Sequence, residues 1–218
     1  MPRGRGQSLR KGRRKGFRRQ FGLDRSGPPP RQTRPGQPLR PWTIPNLVGY
    51  LRLAGLPVFL VIAFSSGDGR DAAAAVIFWL IAVGDYVDGF LARATGQYSR
   101  MGALLDPLVD RLTILCGAAV CWHFELLPRW ALAVLAVREL VTLILAQVYL
   151  RRVGEIEINW LGRIGVFFVM AGIFWALAVE GWVPTALFVF GLVAAIAASF
   201  VYVRAGLRRL RTSAARKA

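Results

Sequence analysis

The sequence has few of the side chains from which many soluble enzymes build their catalytic sites. Its 218 residues include one histidine, His123, and two cysteines, Cys116 and Cys121. The cysteines are five positions apart in an apolar run, which matches no metal-binding or redox spacing, so we interpret them as small packing residues. A histidine relay and a Cys/His metal site are therefore not expected. Acidic residues are also scarce, with 12 Asp and Glu against 29 Lys and Arg.

Hydrophobic residues, in contrast, make up 55% of the chain. They fall into six apolar stretches, each close to the roughly 20 residues that cross a bilayer as a helix. The stretches cover residues 46–65, 73–93, 103–123, 128–150, 161–180 and 184–204. We therefore predict an all-α integral membrane protein in which six transmembrane helices form one domain over residues 42–204.

The two ends of the chain are strongly basic. The first 40 residues contain 13 Lys and Arg, many Gly and Pro, and a single acid, Asp24. Such a segment cannot bury a core, so we predict that residues 1–41 form a disordered tail, with a second basic tail at 205–218. Because Lys and Arg favour the cytoplasmic side, we expect both tails and the 94–102 and 151–160 loops on the cytoplasmic face of the cell membrane. The tails would then attract anionic lipid headgroups rather than nucleic acid.

Five of the twelve acids lie inside predicted spans, where a charge at the centre of a helix costs about 2.5–3.5 kcal/mol. They are Asp85, Asp88, Asp106, Asp110 and Glu139. Asp85 and Asp88 are three residues apart, and Asp106 and Asp110 are four apart, so each pair shares one helix face. The short connection between the two helices makes them antiparallel neighbours. The four aspartates are therefore expected to converge near one membrane depth, which indicates a functional site.

Four carboxylates at close quarters in a low dielectric need positive charge. All-oxygen ligands favour hard ions such as Mg²⁺ or Mn²⁺, and two such ions about 3.5–4 Å apart are a recurring device for displacement at phosphorus. Gly89, Ala92 and Gly102, interleaved with the aspartates, allow close approach to the backbone, and Arg93 suits a phosphate. Taken singly, these small residues are also compatible with helix packing, and Arg93 with an interfacial anchor.

The motif Asp85-x2-Asp88-Gly89-x2-Ala92-Arg93-x8-Gly102-x3-Asp106-x3-Asp110 resembles the full signature of the CDP-alcohol phosphotransferases. All eight fixed positions occur at the family's spacing, and the family's six-helix membrane body is similar to residues 42–204. The resemblance implies a homodimer in which an alcohol hydroxyl attacks the β-phosphorus of a CDP-linked lipid and CMP leaves. Asp110 would be the general base. The ligands of two divalent ions would be Asp85, Asp88, Asp106 and Asp110. The nucleotide would be bound by Asp88, Gly89, Ala92, Arg93 and Gly102.

A second set of residues bears on the acceptor alcohol. The segment Thr43-Ile44-Pro45-Asn46-Leu47, followed by Leu51-Arg52 and Pro57, resembles the opening of the phosphatidylglycerophosphate synthases and their cardiolipin synthase relatives. We therefore expect transfer of the phosphatidyl group from CDP-diacylglycerol to glycerol-3-phosphate. The acceptor phosphate needs cations, for which Arg138 and Arg163 are the candidates.

Other interpretations remain open. The acceptor could instead be phosphatidylglycerol, as in cardiolipin synthases, or inositol phosphate. Arg138 could pair with a nearby acid such as Glu139, and Arg163 could extend to the membrane interface. A membrane transporter is an alternative of another class because intramembrane carboxylates also build proton relays, but it does not account for the eight-position motif.

Overall fold

The chain folds entirely into α-helix wherever regular structure is described. The computed structural model describes the backbone of residues 38–152 and 160–215, and the side chains of 38–143, 160 and 162–200; these ranges contain no strand. The six helices are α1 (Ile44–Ser65), α2 (Ala72–Thr95), α3 (Arg100–His123), α4 (Arg129–Arg152), α5 (Trp160–Ala178) and α6 (Trp182–Ala215). The tail predicted to be disordered lies outside the described residues, apart from 38–41.

The predicted spans match the helices closely at their starts. Every helix begins within three residues of its apolar stretch, and only α6 differs clearly at its end, which lies at Ala215 rather than 204. The segment after 204 is rich in Ala, Leu and Arg, which are strong helix formers, so the helix continues after the apolar run has ended.

Local signals set both ends of α2 and the start of α3. Asp71 Oδ1 accepts a hydrogen bond of 2.9 Å from the Ala74 N–H at the start of α2. Ser99 Oγ accepts one of 2.9 Å from the Gly102 N–H at the start of α3. Gly96 directly follows α2 with φ of 66°, a conformation that glycine adopts at little cost. These caps fix a short turn, which the spacing of the aspartates requires.

Three of the described helices are long and apolar enough to cross a bilayer: α1, α2 and the Trp182–Phe200 part of α6. Between 28% and 39% of the residues in their most apolar windows are buried within the chain, so most of these side chains face outward, as in lipid. A shorter apolar helix covers Gly162–Ala178. The prediction of six spanning helices is therefore supported for three, because charged residues interrupt the apolar runs of α3 and α4.

The described residues form two compact units. The first comprises residues 38–57 and 80–113, and the second comprises 58–79 and 114–215. The core of the second unit is apolar: the rings of Phe59 and Phe78 lie 5.5 Å apart, and a Cβ on Gly117 would come within 2.7 Å of both Phe78 and Ile173. The first unit differs because it buries an ion pair between two helices, Arg52 with Asp88.

Helices α5 and α6 pack through glycine in the second unit. A Cβ on Gly165 would lie 2.6 Å from the Ala195 backbone nitrogen, and one on Gly191 would lie 2.4 Å from that of Val169. A Cβ on Gly172 would meet Phe188 at 2.6 Å. Small residues of this kind let two helix backbones approach closely in a membrane protein.

Candidate active site

A buried arginine lies at the centre of the first unit. Arg52, on α1, is 4% exposed. Its Nη1 donates a hydrogen bond of 3.0 Å to Asp88 Oδ2, and its Nη2 donates one of 2.7 Å to Asp110 Oδ1. Its Nε donates one of 2.8 Å to the Ile81 carbonyl, and its Nη1 lies 3.5 Å from Asp85 Oδ1. One guanidinium therefore connects α1 with carboxylates on both α2 and α3.

Arg52 reaches these carboxylates past a glycine on α2. A Cβ on Gly84 would lie 2.7 Å from Arg52 Cδ and 2.8 Å from Cγ, closer than real Cβ atoms come. Any larger residue at 84 would push the arginine stem away. Since Gly84 directly precedes Asp85, the sequence that supplies the first aspartate also makes room for its cationic partner.

The four predicted aspartates differ in their surroundings. The Asp88 side chain is 4% exposed and fixed by Arg52, whereas those of Asp85 and Asp110 are 49% and 38% exposed and remain accessible to a ligand. Asp106 lies one turn before Asp110 on α3 and is half-buried. The structure thus brings three of the four carboxylates to one guanidinium, with the fourth beside them on the helix.

The donor set fits divalent cations. One guanidinium offsets one of the four carboxylate charges, and carboxylate oxygens are the ligands that hard ions prefer. Within the described residues, no three acidic, histidine or cysteine side chains are grouped around a point where one ion would lie. Arg52 contacts two of these carboxylates, Asp88 and Asp110.

A polar network fixes the turn before α3. The buried Asn46 Nδ2 donates to the carbonyls of Arg40 and Pro41, at 3.0 and 2.9 Å, and its Oδ1 accepts from Ser99 Oγ at 2.8 Å. A Cβ on Gly102 would lie 2.8 Å from Asn46 Oδ1. Gly102, predicted to line the nucleotide site, is therefore also required by the packing of Asn46.

The other predicted nucleotide residues lie together on α2. A Cβ on Gly89 would lie 3.3 Å from Arg93 Nη1, so the guanidinium covers the glycine one turn before it. Ala92 and Arg93 are both half-buried. The small surface at Gly89, with the Arg93 guanidinium over it, directly follows Asp88 on α2.

The two predicted acceptor residues belong to the second unit. Arg138 Nη1 donates to the carboxylate of the buried Glu139, which is the ion pair considered as the alternative. The Arg138 Nε is buried and, in the described part of the chain, has no hydrogen-bond partner. Arg163 is half-buried on α5. A phosphate at Arg138 would therefore compete with Glu139 for one guanidinium.

Sequence reasoning did not assign a role to Arg52, Gly84, Asn46 or Ser99. A signal for Arg52 was present, because a cation inside an apolar helix is as costly as an acid and needs a partner. Gly84 had no such signal: its importance depends on which side chain passes over it, and only the packing of α1 against α2 determines that.

Comparison with known proteins gives a consistent assignment. The model of the CDP-alcohol phosphatidyltransferase family matches residues 42–203. The chain is 38% identical to a CMP-forming cardiolipin synthase of Streptomyces coelicolor over 68% of this chain and 72% of that protein. It is 36% identical to a probable phosphatidylglycerophosphate synthase of Mycobacterium tuberculosis over 56% of this chain and 59% of that protein.

A Bacillus subtilis CDP-diacylglycerol–glycerol-3-phosphate 3-phosphatidyltransferase is 31% identical over 56% of this chain and 70% of that protein. The chain thus covers 59% of the length of the mycobacterial relative, which is less than two thirds. It covers 72% of the Streptomyces relative and 70% of the Bacillus relative. The family model covers most of the chain and includes every residue of the cluster around Arg52. The chain belongs to the CDP-alcohol phosphatidyltransferase family and is a membrane transferase of phospholipid biosynthesis.

Proposed function

We propose that this protein transfers the phosphatidyl group of CDP-diacylglycerol to glycerol-3-phosphate and releases CMP. The observation that supports this most is the cluster of carboxylates on α2 and α3 that Arg52 of α1 joins in the first unit. Its residues are those at which the family resemblance places the chemistry. The Bacillus relative is named for this donor and this acceptor.

The reaction makes one bond to phosphorus and breaks another. The acceptor hydroxyl oxygen bonds to the phosphorus that carries the diacylglycerol, and the pyrophosphate P–O bond to CMP breaks. The hydroxyl proton would pass to the Asp110 carboxylate, whose Oδ1 is oriented by Arg52. The bonding electrons of the broken P–O bond leave with CMP.

Two divalent cations, Mg²⁺ or Mn²⁺, complete the proposed site. They would be held by Asp85, Asp88, Asp106 and Asp110, and when bound they supply electrostatic stabilisation of the attacking and leaving oxygens. The protein's own contribution to donor binding comes from α2 and the start of α3. The cytidine diphosphate would be bound by Asp88, Gly89, Ala92, Arg93 and Gly102.

Glycerol-3-phosphate has a phosphate dianion, for which Arg138 and Arg163 are the proposed cations. Arg138 would exchange part of its pairing with Glu139 for the phosphate, and its buried Nε offers a further donor. Arginine suits this role because its planar donors match phosphate oxygens.

Cardiolipin synthesis, with phosphatidylglycerol as acceptor, is a second candidate. Two observations favour it. The Streptomyces relative is named for that activity and has a higher identity than the other two relatives described. In addition, the Arg138–Glu139 pair is already formed, and phosphatidylglycerol presents an uncharged terminal glycerol rather than a phosphate dianion, so it would not need to displace Glu139 from the guanidinium.

The proposed membrane arrangement places all six helices across the bilayer, with both termini and the carboxylate cluster at the cytoplasmic side. The catalytic domain would cover residues 42–204, between a basic N-terminal tail at 1–41 and a basic C-terminal tail at 205–218. Both tails would attract anionic headgroups, and the protein would be a homodimer. The excess of Lys and Arg at the ends supports this orientation.

Release of CMP from CDP-diacylglycerol by the purified protein tests the proposal. The assay contains Mg²⁺ or Mn²⁺ and, in separate reactions, glycerol-3-phosphate, phosphatidylglycerol or inositol phosphate. We expect release that depends on glycerol-3-phosphate. Release with phosphatidylglycerol alone would establish the second candidate, and release with neither would refute both.

A further inference from the structure

Arg52 uses the same carboxylate oxygens that a metal ion would need. Asp88 and Asp110 are proposed metal ligands, yet each accepts a hydrogen bond from this guanidinium, and Asp85 Oδ1 lies 3.5 Å from its Nη1. The arginine is buried, so it is not a mobile surface charge. Its Nε is held by the Ile81 carbonyl at 2.8 Å, which fixes the cation in this place.

We propose that Arg52 is a resident counterion that holds the carboxylate cluster together without metal and lowers its affinity for divalent cations. The inference rests on the proposed metal site. It assigns to α1, which supplies none of the proposed ligands, the role of setting how strongly the site binds metal.

The physical argument is a balance of charge. Without a cation, the aspartates on α2 and α3 would repel each other in a low dielectric. Either the two helices would separate, or the carboxylates would take up protons. Arg52 removes part of this repulsion by bridging Asp88 and Asp110. Any divalent ion that enters then meets one positive charge at contact distance and competes with its hydrogen bonds. Removing Arg52 must therefore destabilise the metal-free protein and strengthen metal binding together.

Gly84 provides an independent way to displace this cation. Because a Cβ at 84 would lie 2.7 Å from Arg52 Cδ, an alanine there forces the stem to move while every charge remains in the chain. The matched control is Gly49→Ala, a glycine-to-alanine change on α1 of the same unit. Its new Cβ would lie 3.8 Å from Leu105 Cδ1, an ordinary contact that leaves Arg52 in place.

The test measures Mn²⁺ binding and thermal unfolding of the full-length protein in detergent. Mn²⁺ binding is followed by the loss of the electron paramagnetic resonance signal of the free ion, and unfolding is recorded in chelator and in Mn²⁺. The variants are Arg52→Gln, Arg52→Lys, Gly84→Ala and the control Gly49→Ala. CMP release by the wild type is measured separately.

We expect Arg52→Gln to unfold at a lower temperature in chelator and to bind Mn²⁺ about tenfold more tightly, within the usual range of coupling between two binding equilibria. Gly84→Ala should also lower the unfolding temperature in chelator and tighten Mn²⁺ binding, but by less than Arg52→Gln. Arg52→Lys should be close to the wild type in both measurements. The control should not change Mn²⁺ affinity. If Arg52→Gln does not fold, the affinity of Gly84→Ala decides.

Unchanged or weaker Mn²⁺ binding in Arg52→Gln, or in Gly84→Ala when the former does not fold, would overturn the proposal and make Arg52 a helix clamp only. That outcome leaves the proposed function intact as long as the wild type releases CMP. Conversely, a wild type that binds Mn²⁺ but releases no CMP would refute the proposed function, while tighter binding in the variants would still support the counterion.

Discussion

In the first unit, Gly84 and Gly102 make room for polar side chains, whereas Gly172 and Gly191 of the second unit make room for another helix. Gly84 accommodates the stem of Arg52, and Gly102 accommodates the amide of Asn46. Gly172 and Gly191, in contrast, face backbone atoms of the neighbouring helix. The same residue type thus serves a buried polar network in one region and close helix packing in the other.

This difference determines what a substitution does in each region. A side chain added next to a polar group moves that group, and the site loses its geometry before the fold loses much stability. A side chain added next to a backbone has nothing flexible to displace, so the helices must separate. We therefore expect changes in the first unit to affect catalysis, and changes at the α5–α6 contact to affect stability.

The largest expected effect is in the first unit, from Asp110→Asn. The amide cannot accept the hydroxyl proton and removes one carboxylate charge, so CMP release should fall by about 10²- to 10⁴-fold, the usual contribution of a general base. The protein should still insert and remain helical by circular dichroism. The control is Glu125→Gln, which removes an exposed pair with Arg129 and should keep normal turnover. Normal CMP release by the Asp110 variant would contradict the assigned mechanism.

The next effect belongs to the second unit. Gly191→Ala places a Cβ 2.4 Å from the Val169 backbone nitrogen, so it should lower the free energy of unfolding by about 1–3 kcal/mol, as overpacking does. Thermal unfolding in detergent measures this, and kcat per folded molecule should not change. Gly162→Ala is the matched control on α5, because its Cβ would lie 3.6 Å from Ala198 Cβ. Equal unfolding temperatures for Gly191→Ala and Gly162→Ala would contradict the view that glycines of the second unit are required for close packing of the helix backbones.

A smaller effect is expected at Gly102, where packing against Asn46 can be separated from the proposed role in nucleotide binding. Gly102→Ala should lower stability because its Cβ would lie 2.8 Å from Asn46 Oδ1, and it should raise the KM for CDP-diacylglycerol if Gly102 also lines the nucleotide site. In the double variant with Asn46→Ala, the stability loss due to the clash should disappear, leaving the loss of the three Asn46 side-chain hydrogen bonds, each worth about 0.5–1.5 kcal/mol. The raised KM should persist. A KM that returns to normal in the double variant would limit Gly102 to packing.

The sequence predicted the helices and the acidic residues better than their partners. Apolar stretches of spanning length located all six helices, since the length of an apolar run depends only on local sequence. The spacing of Asp85, Asp88 and Asp110 on two helices joined by a short turn correctly predicted that these side chains lie close together, because this pattern too is local in the sequence. That Arg52 pairs with Asp88 and Asp110, 36 and 58 positions away in the chain, depends on which helices are neighbours. Local patterns do not contain this information.

The smallest expected effect concerns the N-terminal tail. Deleting residues 1–38 should leave CMP release within about twofold of the full-length protein, because a basic, apolar-poor segment of this kind contributes no core. The structure limits how far the deletion can go. Leu39 supplies the carbonyl that accepts the Met101 N–H at 3.1 Å, and those of Arg40 and Pro41 accept from Asn46.

A deletion extended through Pro41 should therefore behave differently from one that ends at residue 38. It removes both acceptors of the buried Asn46 Nδ2, and an unsatisfied buried donor costs about 1–3 kcal/mol. Asn46 also holds Ser99, which caps α3 at Gly102, so the loss should lower the unfolding temperature and then turnover. Equal unfolding temperatures for the two truncations would mean that water replaces these carbonyls. Loss of turnover already at residue 38, in a correctly inserted protein, would instead place a part of the site in the tail.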